Sequence, residues 1–197
     1  MEREKPEQST DPPQQLAAEF VGRGLGGDLP AFRTLVDTFQ KYAYALAFRI
    51  LGEEEESKDA VQEAFIRVWQ HRGKYDPKVR FTTWLYTIVT HLCYDKLRGM
   101  RRRNTVPFGD GEASHCGDAS SGDDAERLYS NKEIAALVNR LSRQLPPKQR
   151  VVFVLRDLQG LSVREVAGIL RISESSVKAN LVYARKFLRS KLDPILM

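Results

Sequence analysis

Apolar positions recur at three- and four-residue intervals along most of this chain, and the alternation expected of strands is nearly absent. The first strong stripe is Phe32, Leu35, Val36, Phe39, Ala43, Leu46, Ala47 and Ile50. Asp28 stands before it as an N-cap, Pro30 falls in its first turn, and Gly52 closes it. The acidic run Glu53 to Glu56 opens a second helix, where negative charge suits the helix dipole. Its stripe is Ala60, Val61, Ala64, Phe65 and Val68, and Gly73 stops it. After a loop over 74–80, Thr82 or Thr83 is placed to cap a third helix carrying Trp84, Leu85, Ile88, Val89 and Leu92. Periodicity fades over 104–127, a stretch of Gly, Ser, Asp and Pro107. It returns with Ile134, Leu137, Val138 and Leu141. Pro146-Pro147 breaks the chain and starts a helix with Val151, Val154, Leu155 and Leu158 inward, ended by Gly160.

The pattern predicts an all-α protein of two small helical domains joined by a flexible acidic linker. The expected boundaries are a weakly ordered tail over 1–27, a first domain over 28–103, a linker over 104–129, a second domain over 130–192 and a short tail over 193–197. Within the first tail, Leu16 to Val21 is the one segment with helical character.

The most informative pattern is at 162–190. Ser162 and Glu165 have the spacing of a capping box, and Val163, Val166, Ala167 and Leu170 follow on one face. After the short turn Arg171-Ile172, Ser173 is placed to cap a second helix with Val177, Leu181, Ala184 and Leu188 inward. Two capped helices across a tight turn are the ingredients of a helix-turn-helix. The second helix turns Ser175, Ser176, Lys178, Ala179, Asn180, Val182 and Tyr183 away from the core. Such a helix fits the major groove of DNA, its N-terminal residues nearest the base edges. An ordinary helical hairpin in a bundle has the same caps and stripes, so charge has to separate the two readings.

Charge favours a polyanionic partner. The formal net charge is +5, unevenly spread. From Arg140 to Lys191 there are twelve Lys or Arg against three acids, and five of the eight residues from Lys96 to Arg103 are basic. Between Asn104 and Glu126 lie six acids and no Lys or Arg. Two basic modules thus flank an acidic connector, and basic surfaces bind nucleic acid by neutralising phosphates. Some of the 96–103 cluster also compensates a helix C-terminus.

Enzyme chemistry finds no support. There is no Gly-rich phosphate loop, nucleophile motif or metal spacing, so no cofactor is implied. Cys93 sits in an apolar helical pattern and reads as a buried thiol, whereas Cys116 follows His115 in a polar stretch too poor in ligands for a metal. No apolar run approaches the ~20 residues of a membrane span, and the polar N-terminus lacks the layout of a secretory signal. The expected location is the cytoplasm.

Four segments together resemble the sigma-70 family of bacterial RNA polymerase sigma factors, in its extracytoplasmic-function subfamily. Asp59-Ala60-Val61-Gln62-Glu63-Ala64-Phe65 with Val68-Trp69 resembles the family's D-x-V-Q-E-x-F…W signature. Phe81-Thr82-Thr83-Trp84-Leu85-Tyr86-Thr87-Ile88 is similar to its F-x-T-W-L-Y-x-I segment. Leu145 to Arg150 and Gly160 to Ala167 resemble its C-terminal domain. The match covers about 30–103 and 130–191, in the family's order.

The resemblance implies that the first domain is region 2 and docks on core polymerase. Asp59, Gln62, Glu63 and Ile66 would face the clamp helices of the β′ subunit. The 74–80 loop would capture a flipped base of the −10 element, with Tyr75, Lys78, Arg80 and Phe81 as candidates, and Trp84 better read as core. His91, Asp95, Lys96 and Arg98 would track the −10 strand. The second domain would be region 4 and read the −35 duplex. Arg164, Arg171, Lys178 and Arg185 would meet phosphates, and the face from Ser175 and Ser176 through Ala179 and Asn180 to Tyr183 would meet bases. The implied partners are core RNA polymerase, promoter DNA and an anti-sigma factor, which would hold this otherwise uninserted protein at the membrane if itself membrane-bound.

Three positions depart from the family pattern: His91 replaces an asparagine, Arg171 a glycine, and Asn180 an arginine. For Arg171 the departure means either that the turn needs no positive φ or that strain is tolerated there. A stand-alone helix-turn-helix regulator, binding DNA as a dimer, is the alternative; it leaves the two N-terminal segments without a role.

Overall fold

In the computed structural model, the backbone is described for residues 14–104 and 125–196 and the side chains for 20–100 and 133–194. Eight α-helices account for nearly all of these residues, and no strand occurs among them. Helix α1 spans Gln14–Leu25, α2 Leu29–Leu51, α3 Glu54–Gln70 and α4 Phe81–Asn104. Helix α5 spans Ala125–Ser142, α6 Pro147–Phe153, α7 Val163–Leu170 and α8 Glu174–Leu196. His115 and Cys116 fall outside the described residues.

Local chemistry sets most boundaries where the pattern places them. The Asp28 carboxylate accepts from the Ala31 amide at 3.1 Å to begin α2, and Gly52, at φ +77°, ends it. Helix α4 starts at Phe81, just before the expected Thr caps. Of the expected weakly ordered tail over 1–27, the described part forms α1, which packs on α2 with Val21 in the core, and 1–13 lie outside the described residues. Gly24 makes that contact possible, because a Cβ there would stand 3.0 Å from the backbone of Phe32. The expected linker over 104–129 likewise ends early, since α5 begins at Ala125.

Helices α2, α3 and α4 form the first bundle, sealed by Leu35, Phe39, Leu46, Ile50, Val68, Leu85 and Val89. The buried Cys93 thiol belongs to it, as expected, and burial pushes its pKa up to about 12. In the second half, α8 is the axis against which α5, α6 and α7 pack. Helix α6 widens into one π-helical turn over Val154–Leu158, where the Gln159 amide reaches back to the Val154 carbonyl at 2.9 Å.

The halves are not separate. Helix α4 packs on both α6 and α7, and one hydrophobic core runs from Leu85 and Val89 to Val151, Val166, Ile169 and Val177. An Arg49 guanidinium N–H of α2 donates to the Leu158 carbonyl at 3.2 Å, and Arg143 lies over the Phe48 ring at 5.5 Å. Both expected helical domains are present, and in this structure they share a seam. The reason is geometric: α4 is apolar on more of its circumference than α2 and α3 can cover.

Candidate nucleic-acid interface

The helix-turn-helix forms as the caps predict. Ser162 Oγ accepts from the Glu165 amide at 3.2 Å, and a Glu165 carboxylate oxygen accepts from the Ser162 amide at 2.8 Å. The Ser162 backbone amide first, and the Ser162 hydroxyl second, hold the Glu165 carboxyl below the usual range. Ser173 Oγ accepts from the Ser176 amide at 3.2 Å to begin α8. Between them Arg171 takes φ +53°, ψ +47°, a left-handed conformation at a non-glycine residue. The turn therefore does need a positive φ, and strain of about 1 kcal/mol is carried there.

Val177, Leu181, Ala184 and Leu188 are buried, which turns the opposite face of α8 outward. Ser175, Lys178, Ala179, Val182, Tyr183 and Lys186 are exposed along it. Val182 and Tyr183 are 64% and 62% exposed, large hydrophobic side chains of α8 left open to solvent. Arg164 and Arg171 are also exposed at this end of the fold.

Two expected contacts are differently engaged. Asn180 is half-buried, and its amide donates to the Ser176 carbonyl at 2.7 Å. Arg185 donates twice to the Asp157 carboxylate, at 2.8 and 2.6 Å, fastening α8 to the π-turn. Both side chains thus already bond within the protein. The pairing of Arg185 with Asp157, 28 residues earlier, has no local signature in the sequence.

In the first bundle, Tyr75 closes its own loop by donating its hydroxyl to the Val79 carbonyl at 2.7 Å, while Lys78 and Arg80 are exposed. Phe81, expected at the base, is buried here, edge-on to Phe39 with centroids 4.8 Å apart. Trp84 packs against Tyr75 and Phe81, as its place on the apolar stripe predicts. Along α4, Asp95 and Arg98 are exposed, His91 is half-buried, and Lys96 is paired with Glu56.

Gln62 and Ile66 line an open groove of about 870 Å³ between α2 and α3. Its walls are Phe32, Val36, Tyr44, Phe65 and Trp69, and Lys41 and Lys58 stand at its edge. Ile66 is 44% exposed in it. Asp59 is exposed beside the groove, and Glu63 is paired with Arg67 at 2.8 Å. Periodicity placed Phe32 and Val36 in the core; they are half-buried and form the groove instead. A patch of this kind on an otherwise charged helix pair marks a protein-binding surface. Among the described residues no helix is long and apolar enough to cross a membrane, and no group of acids, histidines and cysteines is placed to hold a metal.

Comparison with known proteins agrees with this geometry. The family profile for Sigma-70 region 2 matches residues 35–103, and that for Sigma-70 region 4 matches 136–188. The chain is 32% identical to the ECF RNA polymerase sigma factor SigW of Bacillus subtilis (strain 168), over 84% of this chain and 91% of the relative. It is 30% identical to the ECF RNA polymerase sigma-E factor of Escherichia coli (strain K12), over 96% of this chain and 98% of the relative. Among solved structures, CnrH in complex with the cytosolic domain of CnrY superposes with a TM-score of 0.60 at 25% identity, over 91% of this chain and 99% of that one. The sigma factor RpoE of Bartonella quintana, solved with the anti-sigma factor NepR, shares the fold, with a TM-score of 0.63 at 19% identity over 82% of this chain and 96% of that one.

Proposed function

The chain belongs to the extracytoplasmic-function group of the sigma-70 family, and from that premise we propose how its surfaces divide the work of transcription initiation. It is a sigma factor that directs promoter-specific initiation, in the stress and envelope-response class of the family. It acts by binding, not by catalysing a reaction. The groove between α2 and α3 takes core RNA polymerase, through the apolar walls around Ile66 and through Gln62, with Asp59 and Glu63 at its margin. The 75–80 loop and the exposed side of α4 meet the −10 element, through Tyr75, Lys78, Arg80, Asp95 and Arg98. His91 and Lys96 join them once the seam parts.

Helix α8 reads the −35 duplex. Ser175, Ser176, Ala179 and Tyr183 face the bases, Arg164, Arg171 and Lys178 face the phosphates, and Asn180 and Arg185 are held in reserve. This follows the division in which phosphate contacts position a protein and base contacts specify the sequence. The linked partner is an anti-sigma factor, as in the solved complex of RpoE with NepR, and the working compartment is the cytoplasm. The observation that carries the reading is the coexistence, in one chain, of an exposed helix-turn-helix face and an unfilled apolar groove 870 Å³ in volume.

The test is transcription with purified components. The protein is mixed with core RNA polymerase and a promoter library, and transcript starts are sequenced. Starts clustered downstream of a shared two-element sequence are expected. Competent core polymerase that yields no factor-dependent transcript rejects the assignment, and tight binding of a palindrome without polymerase favours a stand-alone regulator.

A further inference from the structure

We propose that the cavity between α4 and the 143–150 segment is a binding site for a small oxyanion, phosphoryl or carboxylate, gripped by Arg143 and Arg150. The cavity has a volume of about 330 Å³ and is walled by Leu97 and Met100 from the first bundle and by Leu145, Pro146 and Pro147 from the second. Arg143 and Arg150 line it together.

Two donors of the Arg150 guanidinium lack an acceptor, and Glu53 acts on the group only through its field. Arg150 is 5% exposed, yet its Nε and Nη2 have no acceptor within hydrogen-bonding distance. Buried guanidinium groups are ordinarily paired, because desolvation without a partner is costly. No described acid forms an ion pair with Arg150 or Arg143. Burial first, and Arg143 second, push the Arg150 pKa down to about 10, so the group still carries its charge at neutral pH. Arg143 is exposed and held from the side by the Phe48 ring, with its donors left over. Gly52 leaves the room for it: a Cβ at that position would lie 2.5 Å from the Arg143 Nε.

Arg143 and Arg150 both line the cavity, and the two Arg150 donors without an acceptor lie closed off beneath its wall, so that a small shift of that side chain would present them, with Arg143, to the paired oxygens of a phosphoryl group or a carboxylate. The apolar walls favour a ligand whose charge is at one end. Because those walls come from both bundles, an occupant bridges the seam and favours the packed arrangement. This role is independent of promoter recognition and stands whether or not α8 reads DNA.

The experiment is thermal unfolding of the full chain in sodium phosphate, sodium acetate and sodium chloride at matched ionic strength. Expected is a Tm about 3 °C or more higher in phosphate, in acetate or in both than in chloride. A rise in phosphate alone assigns the phosphoryl group, and a rise in acetate alone the carboxylate. Arg150→Met and Arg143→Met should each abolish the rise, while Arg33→Met, a distant exposed substitution, should keep it. Arg150→Met should also melt no lower than the parent in chloride, since it removes a buried charge without a partner. Equal melting in all three salts overturns the site, as does a rise that survives in both arginine variants. If Arg150→Met does not fold, Arg143→Met decides in the same way.

Discussion

Glu165 shows what one side chain does for the reading module. Its carboxylate closes the capping box of α7, and the bonds that hold it there depress its pKa below the ordinary 4.5. A depressed carboxyl stabilises the fold above its unfolded pKa, and the contribution is lost as pH falls through the folded value. Glu165→Ala should therefore cost about 0.5–2 kcal/mol near neutral pH. The difference from the parent should shrink progressively below about pH 4.5. Urea unfolding at both ends of that range measures it, and a gap that stays constant into acid would reject the ionised cap. Arg171 is the neighbouring case in the opposite sense: the cap is optimal, but the turn after it is strained.

At the level of elements, α8 is the helix proposed to meet the −35 duplex. Lys178 is exposed on the reading side, whereas Arg185 is tied to Asp157. Equal basic charge on one helix thus has unequal availability. Lys178→Glu should weaken binding to a −35 duplex and lower the slope of log K against log salt by about one. Arg185→Ala should change that slope less and loosen the contact of α8 with the π-turn instead. Filter binding or anisotropy across a salt series separates the two. Equal slopes for both variants would mean that Arg185 leaves Asp157 on binding. The caps, the stripes and the short turn of this element are legible in the sequence because each depends on residues three or four apart. The Asp157–Arg185 clamp and the bent-back Asn180 are not, because they depend on which side chains meet after packing.

For the whole molecule, the seam is the deciding feature. With α6 and α7 against α4, His91 and Lys96 are only partly accessible, while α8 remains open. On the proposed assignment of contacts, His91 and Lys96 reach the −10 element only when the bundles separate. Arg49 is a polar tie across the seam, through its bond to the Leu158 carbonyl. Arg49→Met removes that bond, worth about 1 kcal/mol, and keeps most of the apolar stem. It should enlarge the radius of gyration in small-angle scattering and tighten binding of the polymerase–protein complex to a two-element promoter by about fivefold. An unchanged radius together with unchanged promoter affinity would show that the tie does not restrain opening.

Helix content, the order of the helices, the reading helix and its inward stripe were all determined by the sequence itself. Each rests on short-range rules: capping geometry, the 3.6-residue period and the conformations open to Gly and Pro. The family resemblance was equally local, carried by contiguous motifs at 59–69, 81–88 and 145–167. Burial of Phe81, opening of the Phe32–Trp69 groove, the fastening of Arg185, and the approach of Arg143 and Arg150 were decided only by the tertiary structure. Periodicity tells which face of a helix is apolar, but not whether a second helix, a partner or water covers it. In α4 the apolar face was wider than one bundle could bury, and the second bundle covered the remainder.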